Sequence, residues 1–253
     1  MSIDVTPFYL DWTFWAAFLA LLAIVLSQLP PLHLLLRPQR LDVEVHSRIG
    51  ITHKVGNPNA NVVVSIRNTG GRELRIRNLS LEVSRDGRPL AILPAQNYFE
   101  TPSSQSSVLF VPFALKPGET WAHNVVFLNL FDRLTEKQFR ENLSILSFDI
   151  RKKLSARSGS DHNAVIADRV FVQPFFDMFE KLFVWLPGEY VFELTVNAEP
   201  GSASYSKKYR FTLFESDTSD LRKHREDYQF GGGLAYDIEK HVGVYIPLTE
   251  HTT

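Results

Sequence analysis

Between Trp12 and Leu36 the chain places no Asp, Glu, Lys or Arg, and Trp12 to Leu29 is almost unbroken apolar sequence. Uniform apolarity leaves no polar stripe to face water, which predicts a membrane helix rather than an amphipathic one. Its 18 residues, rising 1.5 Å each, would reach about 27 Å, close to the roughly 30 Å hydrocarbon core. Pro30 and Pro31 should end it, since proline lacks a backbone donor and disfavours helix in the residue before it. The span 12–36 is therefore read as a transmembrane helix with an interfacial turn, in which His33 and Arg37 reach the headgroups, preceded by a short tail over 1–11. Trp12 and Trp15 suit an aromatic belt, and Leu19, Leu22 and Leu26 suit the lipid-facing anchor. A cleaved leader fits poorly, because the first eleven residues hold Asp4 and Asp11 and no Lys or Arg.

After Leu41 the period of the pattern changes to two. Leu41–His46, Asn61–Asn68, Leu74–Val83, Val108–Leu115 and Thr120–Leu128 alternate as half-buried strands do. Thr69-Gly70-Gly71, Asp86-Gly87 and Lys116-Pro117-Gly118-Glu119 supply turns between them. In Leu74–Val83, Arg75 and Arg77 face one way. Leu74, Ile76 and, beyond an irregularity, Leu79, Leu81 and Val83 face the other. The spacing of Phe139, Leu143, Leu146, Ile150 and Leu154 predicts a helix opened by a Thr135-x-x-Gln138 capping box, followed by a polar loop to Asn163. Val170–Val172 reads as a strand or turn, Phe175–Trp185 as a short helix or buried strand, and Tyr190–Ala198 with Lys208–Glu215 as a hairpin. The charged stretch Asp217–Tyr228 suggests a short exposed helix, Gly231-Gly232-Gly233 a linker, and Val242–Leu248 an edge strand.

The Asn-x-Gly-Gly turn into an alternating strand, with Pro117-Gly118-Glu119 echoed by Pro187-Gly188-Glu189, resembles immunoglobulin-like and fibronectin-like sandwiches over residues 41–128 and 164–216. The implied fold is mainly β: an antiparallel, immunoglobulin-like β-sandwich behind an N-terminal helix. Its parts are 41–130 and 164–216, a helical insertion over 131–163 and a charged extension over 217–253, forming one elaborated sandwich or two small ones. An anchor ending in Leu-Pro-Pro before such a sandwich also looks like bacterial membrane-anchored proteins, a resemblance that brings no activity with it.

Charge refines this picture. Arg37, Arg40, Arg48 and Lys54 follow the apolar segment and none precedes it, which places the C-terminal domain in the cytoplasm, on a single-pass inner-membrane anchor. A net charge of −1 argues against a nucleic-acid partner. The chain has no cysteine, which removes disulfides and thiolate chemistry.

Candidate chemistry is sparse. No two of the eight histidines stand at i, i+4 or H-x-H spacing, so no metal site is expected. There is no G-x-S-x-G elbow, and Gly231–Gly233 lacks phosphate-binding grammar. Asp177 and Glu180 read as the wet face of an amphipathic segment. Two features stand out. Arg67, Arg72, Arg75 and Arg77, with Arg85 and Arg88 nearby, could form a face for an anionic ligand or acidic partner. His53–Asn59 and Pro94–Phe99 read as recognition loops. Ala16/Ala20 and Ala23/Ser27 have the small-residue spacing of packed membrane helices.

The expectation is a non-enzymatic, membrane-tethered interaction or sensor module with no cofactor, binding a protein, a second copy of itself or an anionic ligand. The rivals are a membrane-acting effector of a bacterial defence system and an extracytoplasmic envelope subunit.

Overall fold

The computed structural model describes residues 12–28, 37–101, 104, 106–157, 164–236 and 243–251. The N-terminal tail, the Pro30-Pro31 stop, His33 and the interfacial turn lie outside them.

Alternation becomes burial. In Leu74–Arg85 the side chains of Leu74, Ile76, Leu79, Leu81 and Val83 are buried, and the register with the neighbouring strand shifts between Ile76 and Asn78, at the expected irregularity. Twelve strands form among the described residues: β1 (Leu41–Val45), β2 (Arg48–Lys54), β3 (Asn57–Asn68), β4 (Leu74–Arg85), β5 (Arg88–Phe99), β6 (Val108–Leu109), β7 (Phe113–Leu115), β8 (Thr120–Leu128), β9 (Gly188–Glu199), β10 (Tyr205–Leu213), β11 (Val244–Pro247) and β12 (Thr249–Glu250). All pair antiparallel in the order β11-β2-β3-β8-β5-β4-β9-β10-β12, with β1 on β3, β6 on β5 and β7 on β4.

This is one sheet nearly closed into a barrel, not the expected two-sheet immunoglobulin-like sandwich. Two devices close it. β5 changes partner along its length, pairing with β4 up to Pro94 and with β8 from Ala95, with a register shift between Ala95 and Asn97. The C-terminal segment then joins the two ends of the order: β11 pairs with β2 and β12 with β10, and only Leu248 lies between them. Leu248 N–H donates to Ser47 O at 2.8 Å and His251 N–H to Lys208 O at 3.0 Å. β11 and β12 each pair on one side only, so the barrel is nearly but not fully closed. Strands from both sandwich parts meet in this sheet, β4 and β9 pairing from Arg75↔Glu199 to Arg85↔Tyr190.

The two segments expected as recognition loops are strand instead. His53–Asn59 is a tight hairpin whose turn residues, Val55 (φ 51°) and Gly56 (φ 83°), both take positive φ, the pattern that suits the twist of the flanking strands. Pro94–Phe99 is the second half of β5. The Asp86-Gly87 turn forms as expected, with φ 49° and 77°. In the Asn68–Gly71 turn, buried Asn68 holds the loop: Nδ2 donates to the carbonyls of Arg72 and Leu115 (2.8 Å each), and Oδ1 accepts from Gly70 N–H (2.9 Å).

Four α-helices are described: α1 (Trp12–Gln28), α2 (Arg133–Ser155), α3 (Arg169–Leu182) and α4 (Glu215–Lys223). α2 is capped three residues earlier than expected, by Asp132, whose Oδ1 accepts from Leu134 N–H (2.9 Å) and Thr135 N–H (3.0 Å). Val170–Val172 is the first turn of α3, not a strand, because Val172, Phe175 and Phe179 recur on one buried helical face. Glu215 opens α4 rather than closing β10, and α4 runs into a 3-10 turn over His224–Phe230. α3 lies on the β2–β3 turn: a Cβ on Gly56 would stand 2.6 Å from Phe179 O. A polar clasp joins α2 to α3. Lys153 Nζ donates to Asp149 Oδ2 (2.8 Å) and Asp168 Oδ1 (2.6 Å), and Asp168 N–H donates to Asp149 Oδ2 (3.0 Å). Burial pushes the Asp149 carboxyl up, but the Lys153 and Asp168 hydrogen bonds outweigh it and hold its pKa below the ordinary value.

α1 stands apart. From Trp12 to Ser27 every side chain is exposed, Trp12 at 85%. Its described length is 17 residues, and among the described residues no helix is long and apolar enough to cross a membrane. A spanning helix is thus not part of the described fold.

Candidate functional site

A concavity lies on the outer face of the barrel wall, beside a strand position that carries no side chain. Across one row of the sheet Tyr245, Gly50, Asn61 and Val126 are register partners on β11, β2, β3 and β8. Gly50 contributes nothing to that row, and the Asn61 carboxamide leans into the gap: a Cβ on Gly50 would stand 2.1 Å from Asn61 Oδ1. Glycine inside a strand commonly marks such close approach. The adjoining hollow measures about 370 Å³ and is lined by Thr52, Asn59, Asn61, Asn124, Phe99 and Tyr245 together with the apolar Ala60, Val126 and Leu128. Thr101 and Ser104 hold its rim, their hydroxyl oxygens 2.8 Å apart. Among the described residues, no charged side chain lines it. Asn124 Oδ1 is buried and has no hydrogen-bond partner among the described residues.

Sequence reasoning missed this site. The available signals were Gly50 within an otherwise β-branched stretch and asparagines at the polar positions of two strands, where asparagine is disfavoured.

All four arginine side chains are exposed: Arg67 is on β3, and Arg75 and Arg77 are on β4, whose first residues pair with β7 and β9. Arg77 is ion-paired with Glu199 on β9, and Arg72 lies in the loop pinned by Asn68. Asp177 accepts from Gln173 Nε2 (2.8 Å), and Glu180 pairs with Arg222 (3.2 Å) and Arg225, so both carboxylates are engaged on the surface of α3.

His53 and His123 make contacts to backbone groups. His53 Nδ1 accepts from Gly56 N–H (3.1 Å), and Nε2 lies 2.9 Å from Leu221 O as its donor, which fixes the neutral tautomer. His123 Nδ1 lies 3.2 Å from the carbonyls of Phe99 and Glu100. Among the described residues no three His, Asp or Glu side chains form a metal-holding group. His162 lies outside them. The anchor residues Trp12, Trp15, Leu19, Leu22 and Leu26 are all exposed on α1.

No protein-family model matches the sequence, and no curated protein matches it. Among solved structures the chain is similar to a protein from Archaeoglobus fulgidus known from its crystal structure. The identity is 8% and the TM-score 0.27, over 70% of this chain and 98% of that one. At that score the likeness carries no argument about fold or function.

Proposed function

We propose that the chain is a non-catalytic recognition module held at a membrane by α1, with the barrel binding its partner through side chains of its outer face. The observation that carries this reading is α1: its apolar side chains are exposed on every side and none is buried against the barrel. Sixteen consecutive residues exposed in this way need a cover, and a bilayer covers all faces at once. The near-closed sheet supports recognition by side chains, since strand addition needs an open edge. The basic residues after α1, Arg37 and Arg40 first, favour a barrel on the cytoplasmic side of an inner membrane.

The test is fractionation of cells carrying the full chain with a C-terminal tag. The protein should stay with membranes through high-salt and alkaline washing. The double variant Leu19→Asp/Leu22→Asp should be released, each charge near a helix centre costing about 2.5–3.5 kcal/mol of insertion. Release of the unaltered chain by washing would overturn the reading. Protease protection of the tag in spheroplasts checks the orientation.

A further inference from the structure

We infer that the hollow beside Gly50 is a binding site for a neutral saccharide. This rests on the recognition-module reading and names what the barrel recognises.

The hollow is lined largely by apolar groups such as Val126 and Leu128, among which Asn59, Asn61, Asn124 and Thr52 supply carboxamides and a hydroxyl, with no charge among the described residues. Amides and hydroxyls each offer donors and acceptors, as sugar hydroxyls do, so the two sets are complementary. Among the described residues a phosphate or carboxylate would find no cation here to offset its desolvation. The lining also supplies Phe99 from β5 and Tyr245 from β11, and aromatic faces pack against the C–H faces of a pyranose ring. A volume of about 370 Å³ sits at the small end of ligand clefts, which run to about 1,000 Å³.

An extended peptide is the obvious rival. It reads a sheet through backbone edges, but here β3 is paired with β2 and β8, and β8 with β3 and β5, so the strands under the hollow have no free edge. Asn124 adds an energetic reason for an occupant. Its buried, unpartnered oxygen is a standing cost that a small χ2 rotation toward a sugar hydroxyl relieves. Gly50 makes room for the Asn61 carboxamide, which lines the hollow: a Cβ on Gly50 would meet it.

The experiment is calorimetric titration of the full chain, purified in a detergent without sugar headgroups. The probes are cellotetraose, maltotetraose, mannotetraose and chitotetraose, with tetragalacturonate as the charged comparison. At least one neutral tetrasaccharide should bind, and tetragalacturonate should bind at least about tenfold more weakly. Asn61→Ala and Tyr245→Ala should each weaken binding about tenfold or more, with unfolding midpoints close to that of the unaltered chain. Tyr245 is half-exposed, so its truncation leaves the barrel folded and keeps the test valid even if Asn61→Ala does not fold. Binding of none of the four neutral probes at millimolar concentration would overturn the proposal, as would binding indifferent to Tyr245→Ala. Alkaline washing of membranes carrying Tyr245→Ala should still retain the protein. Loss of retention would count against the membrane reading, while loss of sugar binding alone bears on the hollow.

Discussion

Two helices in this chain are rich in apolar residues, and they end in opposite surroundings. α3 sets Val172, Phe175 and Phe179 into the core and keeps Asp177, Glu180 and Lys181 outside. α1 buries nothing from Trp12 to Ser27. The difference lies in where the polar residues fall, not in how many apolar residues there are. Gln173, Asp177 and Glu180 interrupt α3 at helical spacing and give it a wet side, so a barrel on one side and water on the other satisfy it. α1 offers no such side, and the barrel buries none of its side chains from Trp12 to Ser27.

The largest effect that would test this contrast is Phe179→Ala. Phe179 is fully buried, stacked on Phe183 with ring centroids 4.8 Å apart and edge-on to His53 at 5.1 Å. Its truncation should cost about 3–5 kcal/mol in urea unfolding, the range for large core aromatics. Leu22→Ala on α1 should shift the barrel's unfolding by less than about 0.5 kcal/mol, as expected away from packed sites. A cost below about 1 kcal/mol for Phe179→Ala would mean that α3 is not anchored as its burial implies.

The same logic sets how much could be read from sequence. Period-two alternation marked most of the strands correctly, because a half-buried strand must alternate. It even located the irregularity at Arg77, where the run of apolar positions changes phase. Closure into a barrel was not legible. It depends on β5 changing partner at Pro94–Ala95 and on seven C-terminal residues meeting two strands at once, and pairing at that separation leaves no mark on local pattern. β2 was hidden because the turn at Val55-Gly56 is short and its Asn- and Pro-rich flanks imitate a loop. The hollow was hidden for a related reason: it is lined by Asn61, Asn124 and Tyr245, which come together from three different strands.

A smaller effect should come from the clasp at the start of α3. Asp149→Asn removes the carboxylate that receives Lys153 Nζ and Asp168 N–H, and should cost about 1–3 kcal/mol at pH 7. The sign with pH follows from the depressed pKa of Asp149. A carboxyl held lower in the folded than in the unfolded chain stabilises the fold above its unfolded value, near pH 4, and that contribution fades as pH falls through the folded value. The gap between Asp149→Asn and the unaltered chain should therefore narrow between pH 5 and pH 2.5. Urea midpoints across that range check it, and a constant gap would assign the cost to packing rather than charge.

The smallest effect belongs to the arginine face. Arg77 and Glu199 are ion-paired across β4 and β9, yet both side chains are about half exposed. Water and salt screen such a pair, and ordering two long side chains consumes most of what it gains. Arg77→Ala should therefore change stability by less than about 0.5–1 kcal/mol, and that change should shrink further in 1 M salt. A larger, salt-resistant loss would mean that Arg77 contributes through its aliphatic stem packed on the sheet. Contact, and not charge, would then be what separates this exposed face from α1, which carries apolar stems with nothing from the barrel to lie on.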